Sequence, residues 1–457
     1  MSEKDPKEFG FGLSRRTFLM GAAAAGLGMM LEHSVLGQAA AGAKSAPGTL
    51  NIAMIGVGRE GGESLLPCCL KIPGVRFVAI CDIWPRNRNR FQKLLASHGQ
   101  PVSAYEDYRE MLAKEKAIDA VIIATPDFMH SEHTVACLKA GKHVYCEKEM
   151  SNTVEGARAM VVAARETGKL LQIGHQRRSN PRYHLAIKMI DHDKILGRPI
   201  CFHGQWDRAI ASSQDMVCAP KDAMTEAQLK KWGYDSMQSF LNWRWYRRYG
   251  GGPIVDLGSH QIDVFSWFLK APPKAVMASG GKDYFKDREW YDNVMATFEY
   301  DTPSGSARGT YQVLTTTSYG GWYELFNGTD GSLIISEADT PKTQYFPEFS
   351  AKQPSWVAMS SNVSQVNGAQ AVDLKIGESL DAKGRKAVQG QAIGEAATTK
   401  KPWQFHLENF FAAIKDPKVK LNCPAELAFE SCVSVHKVNE AIAAGKRLEF
   451  DPKEFKA

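Results

Sequence analysis

The chain has 457 residues, 44% of them hydrophobic and 23% charged, with a formal net charge of +6. That length and apolar content describe a soluble globular protein of about three ordinary domain lengths, with material for a large core. The surplus positive charge is small and dispersed, so neither nucleic acid nor another polyanion is an expected partner.

The first residues read as a leader rather than as part of the fold. Ser14-Arg15-Arg16-Thr17-Phe18-Leu19 is a twin-arginine pattern, followed by an apolar run from Phe18 to Leu31 and small residues at Ala41-Gly42-Ala43. The run is short of the roughly 20 residues that cross a bilayer, and no later stretch is long enough, so no stable membrane span is expected. Residues 1–43 are therefore expected to be a twin-arginine signal peptide. The translocase is then a transient partner, and the mature protein is periplasmic or otherwise exported. The nine cysteines are an odd number without a C-x-x-C pair. They read as small buried hydrophobes rather than a disulfide framework, because this route exports protein already folded in a reducing compartment. No zinc-ligand spacing occurs, and no metal is expected.

From Leu50 apolar strands alternate with helical stretches. Strands are expected at 50–56, 75–81, 120–124, 143–146 and 170–173, and helices at 61–70, 86–97, 130–140 and 152–167. Asn152 and Glu155 stand in capping-box relation at the start of the last helix. Strands separated by helices imply right-handed crossovers and a parallel sheet. The first strand runs into Gly56-Val-Gly58-Arg-Glu-Gly61, a G-x-G-x-x-G at a strand-to-helix turn, and Asp82 ends the second strand. Such glycines allow a tight turn and close approach of a pyrophosphate to a helix N-terminus. A carboxylate at Asp82 accepts from ribose hydroxyls and repels a 2′-phosphate, which favours NAD. Arg86 and Arg88, just beyond it, keep NADP as the alternative. Residues 48–174 are thus expected to form an NAD(P)-binding Rossmann domain.

Beyond Gly174 the rhythm changes. Strands at 200–206, 276–279, 294–300, 306–314 and 322–326 follow one another, with the turn cluster Asn327-Gly328-Thr329-Asp330-Gly331 after the last. Residues 175–457 are expected to be an α+β substrate and oligomerisation domain with a largely antiparallel, open-faced sheet. Residues 337–401 are polar and weakly periodic and read as a long loop or arm. Helices at 403–414 and 425–444 close the chain. Gly250-Gly-Gly-Pro253 enters a further helix on which Asp256, His260, Asp263 and Trp267 share one row. An Asp and a His one turn apart are either an acid/base pair, Asp256 orienting His260, or a core histidine satisfied by its own carboxylate. Arg177 and Arg178, and the run Trp243-Arg244-Trp245-Tyr246, are secondary candidates for cofactor or sugar contact, with packing as their competing role.

Together these features resemble the Gfo/Idh/MocA (glucose-fructose oxidoreductase / inositol dehydrogenase) family. The residues that carry the likeness are Gly56-x-Gly58-x-x-Gly61, Ala124-Thr125-Pro126 with His130, Cys146-Glu147-Lys148, Asp256-x-x-x-His260 and Asn327-Gly-Thr-Asp-Gly331. The resemblance implies cofactor contacts at Gly56, Gly58, Gly61, Asp82, Thr125, Pro126, His130, Glu147 and Lys148, and a catalytic set of Lys148, Asp256 and His260. Arg178, Trp243 and Trp245 join Asp256 and His260 as candidate substrate contacts. The chain departs from the family at Glu149, where the family usually has proline, often after a cis bond. Either the turn is rebuilt there or an extra carboxylate borders the site.

The activity implied is NAD(P)-dependent oxidoreduction of a sugar or cyclitol hydroxyl, by a homodimer or homotetramer. Export adds the expectation of a tightly bound NAD, since little free NAD(H) exists outside the cytoplasm. A redox-neutral glycosidase or lyase using the same residues, and a non-catalytic binding protein, stand as the alternatives.

Overall fold

The computed structural model describes residues 48–209, 216–338, 340–352, 354, 357, 363–366, 368–374 and 400–457. The twin-arginine segment lies outside them, as does much of the polar insertion. Among the described residues no helix is long and apolar enough to cross a membrane.

The first sheet is parallel and contains β1 (Leu50–Ile55), β2 (Val75–Cys81), β3 (Ser103–Tyr105), β4 (Ala120–Ile123), β5 (His143–Cys146) and β6 (Leu171–Ile173). Their order across the sheet is β3-β2-β1-β4-β5-β6, the doubly wound Rossmann arrangement in which strand order reverses beside β1. Four helices connect the strands after the first turn: α2 (Pro85–Ser97), α3 (Tyr108–Lys114), α4 (Asp127–Lys139) and α5 (Val154–Thr167). The short β3 and α3 escape the apolar pattern. Asp107 nonetheless caps α3 by accepting from the Arg109 amide at 2.8 Å. At α5 the cap is Thr153, which accepts from the Gly156 amide at 3.1 Å, and the pair expected at Asn152 and Glu155 is not used.

The segment after the glycine turn is not one helix from residue 61. It opens as a π-helical stretch, Arg59–Leu65, and only then becomes α1 (Leu66–Cys69). Pro67 lies in the first turn of α1. It cannot donate to a preceding carbonyl and its ring crowds one, so a wider turn upstream relieves the conflict.

After β6 a 3-10 turn (Gln176–Ser179) leads to α6 (Pro181–Asp191), and then the second sheet begins with β7 (Pro199–Asp207). Helices α7 (Glu226–Lys231), α8 (Met237–Leu241) and α9 (Gly252–Leu269) follow, and then the strands β8 (Ala275–Gly281), β9 (Asn293–Thr302), β10 (Gly305–Leu314), β11 (Trp322–Gly328) and β12 (Gly331–Ile335). β13 (Gln344–Pro347), β14 (Val363–Val366) and β15 (Ala369–Asp373) extend this sheet to ten strands with β16 (Leu448–Glu449) at the other edge. All neighbours are antiparallel except β7 and β10. The expectation of a bare loop over 337–401 is therefore corrected. β13 pairs with β12, and Tyr345 and Val372 face the core, but strands of four or five residues are too short to show a period of two.

α9 lies against β7, β9 and β10, and every residue of it except Trp267 is buried. Its Asp263 accepts from Arg178 in the turn after β6, with Nε at 2.9 Å and Nη2 at 2.9 Å from the carboxylate oxygens. Both groups are buried, so the bidentate pair joins the first sheet's exit to the second domain's central helix.

The closing helices are α10 (Pro402–Lys415) and α11 (Ala425–Ala444). α11 packs on α9, α5 and β8. α10 instead returns to the first domain, where Leu407, Phe410 and Phe411 complete a core with Ile52, Phe77, Ile122 and Tyr145. Between the two helices Cys423 accepts from the Ile173 amide at 3.1 Å, which covers the edge of β6. The nine cysteines are free, and seven are buried; Cys201 is exposed and Cys218 half-buried.

Removing one member of a buried ion pair strands its partner. Asp263→Ala should therefore cost about 3 kcal/mol or more of unfolding free energy, read as a lowered urea midpoint with an unchanged slope.

Candidate active site

The candidate residues of the first domain lie in the loops that leave the C-terminal ends of β1, β2, β4 and β5. Gly56 has φ +86°, and a Cβ there would lie 2.7 Å from the Ala124 carbonyl oxygen. A Cβ on Gly61 would lie 2.0 Å from the Gly56 oxygen, so both positions admit only glycine for reasons internal to the chain. Gly58 differs. A Cβ there would meet nothing nearer than Asn87 Nδ2 at 3.8 Å. The protein leaves space over Gly58 that a side chain would fill, as a site for a pyrophosphate requires.

Asp82 follows β2 and is fixed by its neighbours. Its carboxylate accepts from the amides of Val57 at 3.0 Å and Trp84 at 2.8 Å, beside the glycine turn. Burial raises its pKa, while these donors and Asn87 act the other way. The two arginines that would hold a 2′-phosphate are otherwise engaged. Arg86 pairs with Asp222 at 3.4 Å, and Arg88 donates to the Asp82 carbonyl at 2.5 Å and to Glu106 at 3.4 Å. The residues present thus fit NAD, with Asp82 at its adenosine ribose.

Thr125 and Pro126 form the turn into α4. His130 buttresses that turn, each of its ring nitrogens lying 2.6 Å from a carbonyl oxygen, of Thr125 and of Glu149. Burial lowers its pKa to about 4. A neutral ring donates to only one of the two carbonyls at a time. The Lys148–Glu149 peptide is cis although the second residue is not proline. The Glu149 carboxyl is wholly buried, accepting from the Met150 amide at 2.7 Å and lying against Cys432. Burial raises it to about 7.

Lys148 reaches α9. Its Nζ donates to the Asp256 carbonyl at 2.5 Å and to Asp256 Oδ1 at 3.0 Å, while Arg244 Nε donates to Oδ2 at 2.9 Å. Burial pushes the Asp256 carboxyl upward, but Arg244, then Lys148 and Arg208, more than reverse this and hold it well below the usual carboxylate range. Asp256 is therefore spent on two cations and does not orient His260, which corrects the expected pairing. The i, i+4 spacing allows the contact, but the two residues brought in from β5 and the 3-10 turn Trp243–Trp245 compete for the carboxylate and win.

His260 stacks on Trp206 with ring centroids 5.5 Å apart and has His175 edge-on at 6.3 Å. Its Nδ1 is buried without a partner among the described residues, as are both ring nitrogens of His175. Burial, then Lys148, Arg177, His175 and Arg208, depress its pKa well below that of free imidazole. The His260 imidazole is therefore neutral at pH 7.

Around this centre stand acids of opposite character. Burial, with the charge of Asp256, raises Asp127 to about 8, and burial with Glu60 raises Glu147 to about 8. Glu147 accepts from the Tyr145 hydroxyl at 3.1 Å and from the Lys148 amide at 3.2 Å. Glu60, in the glycine turn itself, is raised by burial and lowered by Lys148 and Arg244. Sequence reasoning missed Glu60, Asp127, His175, Trp206, Arg208 and the role of Arg244. Only Arg244 carried a signal, its place between two tryptophans.

The remaining candidate substrate contacts occupy packed positions. Arg178 is the strut to Asp263 described above. Trp243 packs with Trp84, Tyr234 and Tyr249, and the Arg244 guanidinium lies 4.2 Å from its ring centroid. Trp245 packs on Phe285 and Arg288. Both indoles are less than a tenth exposed, so no open stacking face is presented there.

Comparison with known proteins gives the site its context. Residues 50–175 match the model of the oxidoreductase family with an NAD-binding Rossmann fold, and residues 223–334 match the GFO/IDH/MocA C-terminal domain. A 1,5-anhydro-D-fructose reductase of Ensifer adhaerens is 30% identical over 53% of this chain and 63% of its own length. An inositol 2-dehydrogenase of Salmonella typhimurium is 32% identical over 34% of this chain and 46% of its own. The chain thus spans about half to two thirds of these relatives. Among solved structures, an aldose-aldose oxidoreductase from Caulobacter crescentus superposes with a TM-score of 0.64 over 88% of this chain and 100% of the other, at 18% identity, which speaks to the fold.

Asp82→Asn removes the carboxylate that ribose hydroxyls would donate to. It should weaken NAD binding by about tenfold or more while changing NADP binding less, measured by titration calorimetry on nucleotide-free protein.

Proposed function

This chain belongs to the GFO/IDH/MocA oxidoreductase family, and we propose that it oxidises or reduces one secondary hydroxyl of a carbohydrate or cyclitol with NAD. The observation that carries this reading is the anchoring of Lys148, at the end of β5, on Asp256 of α9, the helix that also carries His260, in a chain whose glycine turn leaves open space at Gly58. The relatives' names, a sugar reductase and an inositol dehydrogenase, support the substrate class.

NAD supplies the hydride acceptor. As hydride leaves the carbon, the hydroxyl proton becomes strongly acidic, so a weak, neutral base is sufficient to take it. His260 is such a base, and its depressed pKa keeps it unprotonated. The Lys148 ammonium, anchored on Asp256, lies on the same helix face and stabilises negative charge developing on the substrate oxygen. Asp256 fixes that lysine and, with Arg244, remains ionised throughout.

We propose further that the twin-arginine leader exports the folded protein, that NAD travels with it, and that the chain self-associates. Support for self-association lies on the face of the second sheet turned away from α9, where Met277 and Met295 are 53% and 57% exposed. Native protein, acid-quenched for mass spectrometry and sized by light scattering, should yield one NAD per chain and a dimer or larger; an empty, monomeric protein would refute both proposals. Loss of the twin arginines should leave the protein in the cytoplasm on fractionation.

His260→Ala should lower kcat/KM by about 10²–10⁴-fold. Because the base must be unprotonated and its pKa is depressed, the acid limb of the wild-type profile should lie below the range in which a free imidazole titrates. Activity that survives the substitution would place the base elsewhere.

A further inference from the structure

Charge around the reacting centre does not balance, and the imbalance bears on which hydroxylated compound enters. Lys148 and Arg244 are each committed to one oxygen of Asp256. Arg177 is matched by Glu324 and by Glu337. Arg208, directly after β7, has no such match: no carboxylate of the described residues lies within ion-pair distance of it. Its neighbour Asp207 faces elsewhere, accepting from Gln205 at 3.3 Å and Gln312 at 2.9 Å. Arg208 is instead held over the Trp206 ring, 5.9 Å from its centroid, at the place where Arg244 and Arg59 oppose its charge and Asp256 favours it.

Unused donors meet at the same indole. Trp206 Nε1 is buried without an acceptor, and Arg177, 5.6 Å from the ring centroid, has Nη2 buried without one. Buried N–H groups are seldom left unpaired, because each forfeits its hydration. His260 stacks on that ring, so the donors and the base share one indole.

Resting on the oxidoreductase reading above, we propose that the substrate is an acidic carbohydrate or cyclitol whose carboxylate binds Arg208 and the Trp206 N–H, beside the hydroxyl that His260 deprotonates. One planar guanidinium fork and one neutral donor suit a singly charged, planar group. A phosphate ester, with up to two charges, would call for a second cation; Arg59, which opposes the charge of Arg208, stands in the glycine turn, on the side of the dinucleotide.

The test uses the full-length purified protein and matched pairs that differ only in the acid: D-glucuronate with D-glucose, and D-galacturonate with D-galactose. NADH formation gives kcat and KM for each. In at least one pair the acid should be preferred by about tenfold or more in kcat/KM, and added salt should raise its KM selectively. Arg208→Met should collapse that preference, chiefly through the KM of the acid, and Arg208→Lys should restore part of it. A wild type that favours the neutral members, or an Arg208→Met protein that keeps the preference for the acid, overturns the carboxylate subsite while leaving the oxidoreductase reading intact. Failure of every acid and every neutral sugar to reduce bound or added NAD would overturn that reading and this one together.

Discussion

Two cations brought in from distant parts of the chain grip the single carboxylate of Asp256, and the rest of the site follows from that grip. Lys148 comes from the exit of a parallel strand and Arg244 from a 3-10 turn more than ninety residues later, yet each takes one oxygen of the same group. An isolated carboxylate so deeply placed would neutralise itself; paired twice, it stays charged. The lysine is thereby tied to α9, the helix that carries His260, so two groups from different domains hold a constant separation. The histidine, denied the aspartate, is left neutral and stacked on an indole.

The same small volume keeps other acids protonated. Asp127 and Glu147 both sit near Lys148, but burial and like-charged neighbours dominate there and raise each to about 8. The difference from Asp256 is direct hydrogen bonding: Asp256 receives charged donors on both oxygens, whereas Glu147 receives a phenol and a backbone amide. Environment rather than residue type assigns the charge. The outcome is a cleft with more fixed positive than negative charge, facing the space where an anionic dinucleotide fits.

Much of this architecture was legible in the residues. The strands at Val75–Cys81 and His143–Cys146 and the helix at Ala425–Ala444 have the limits expected of them, because long apolar runs and clear turn residues bound them. The glycine turn and Asp82 could be placed together because their spacing is set locally by one βαβ unit. What could not be read is what arrives from elsewhere. The helical spacing of Asp256 and His260 says that they can touch, but not that Lys148 and Arg244 will reach the carboxylate first. Glu60 is an ordinary turn residue until the second domain folds over it, and Arg208 stays exposed beside Trp206. The insertion strands and β3 are too short for a period to emerge from a handful of residues.

The path of α10 has a consequence for how the protein is made. Leu407, Phe410 and Phe411 belong to the core of the first domain, yet they are encoded after every strand of the second sheet except the last. Domains generally fold as units, amino-terminal first, while the ribosome is still working. Here the leading domain emerges with one apolar flank uncovered, and it remains so until nearly the last residues are added. Completion of the nucleotide domain is therefore a post-translational event, and a nascent chain stalled before residue 402 would present that flank to chaperones rather than a finished fold.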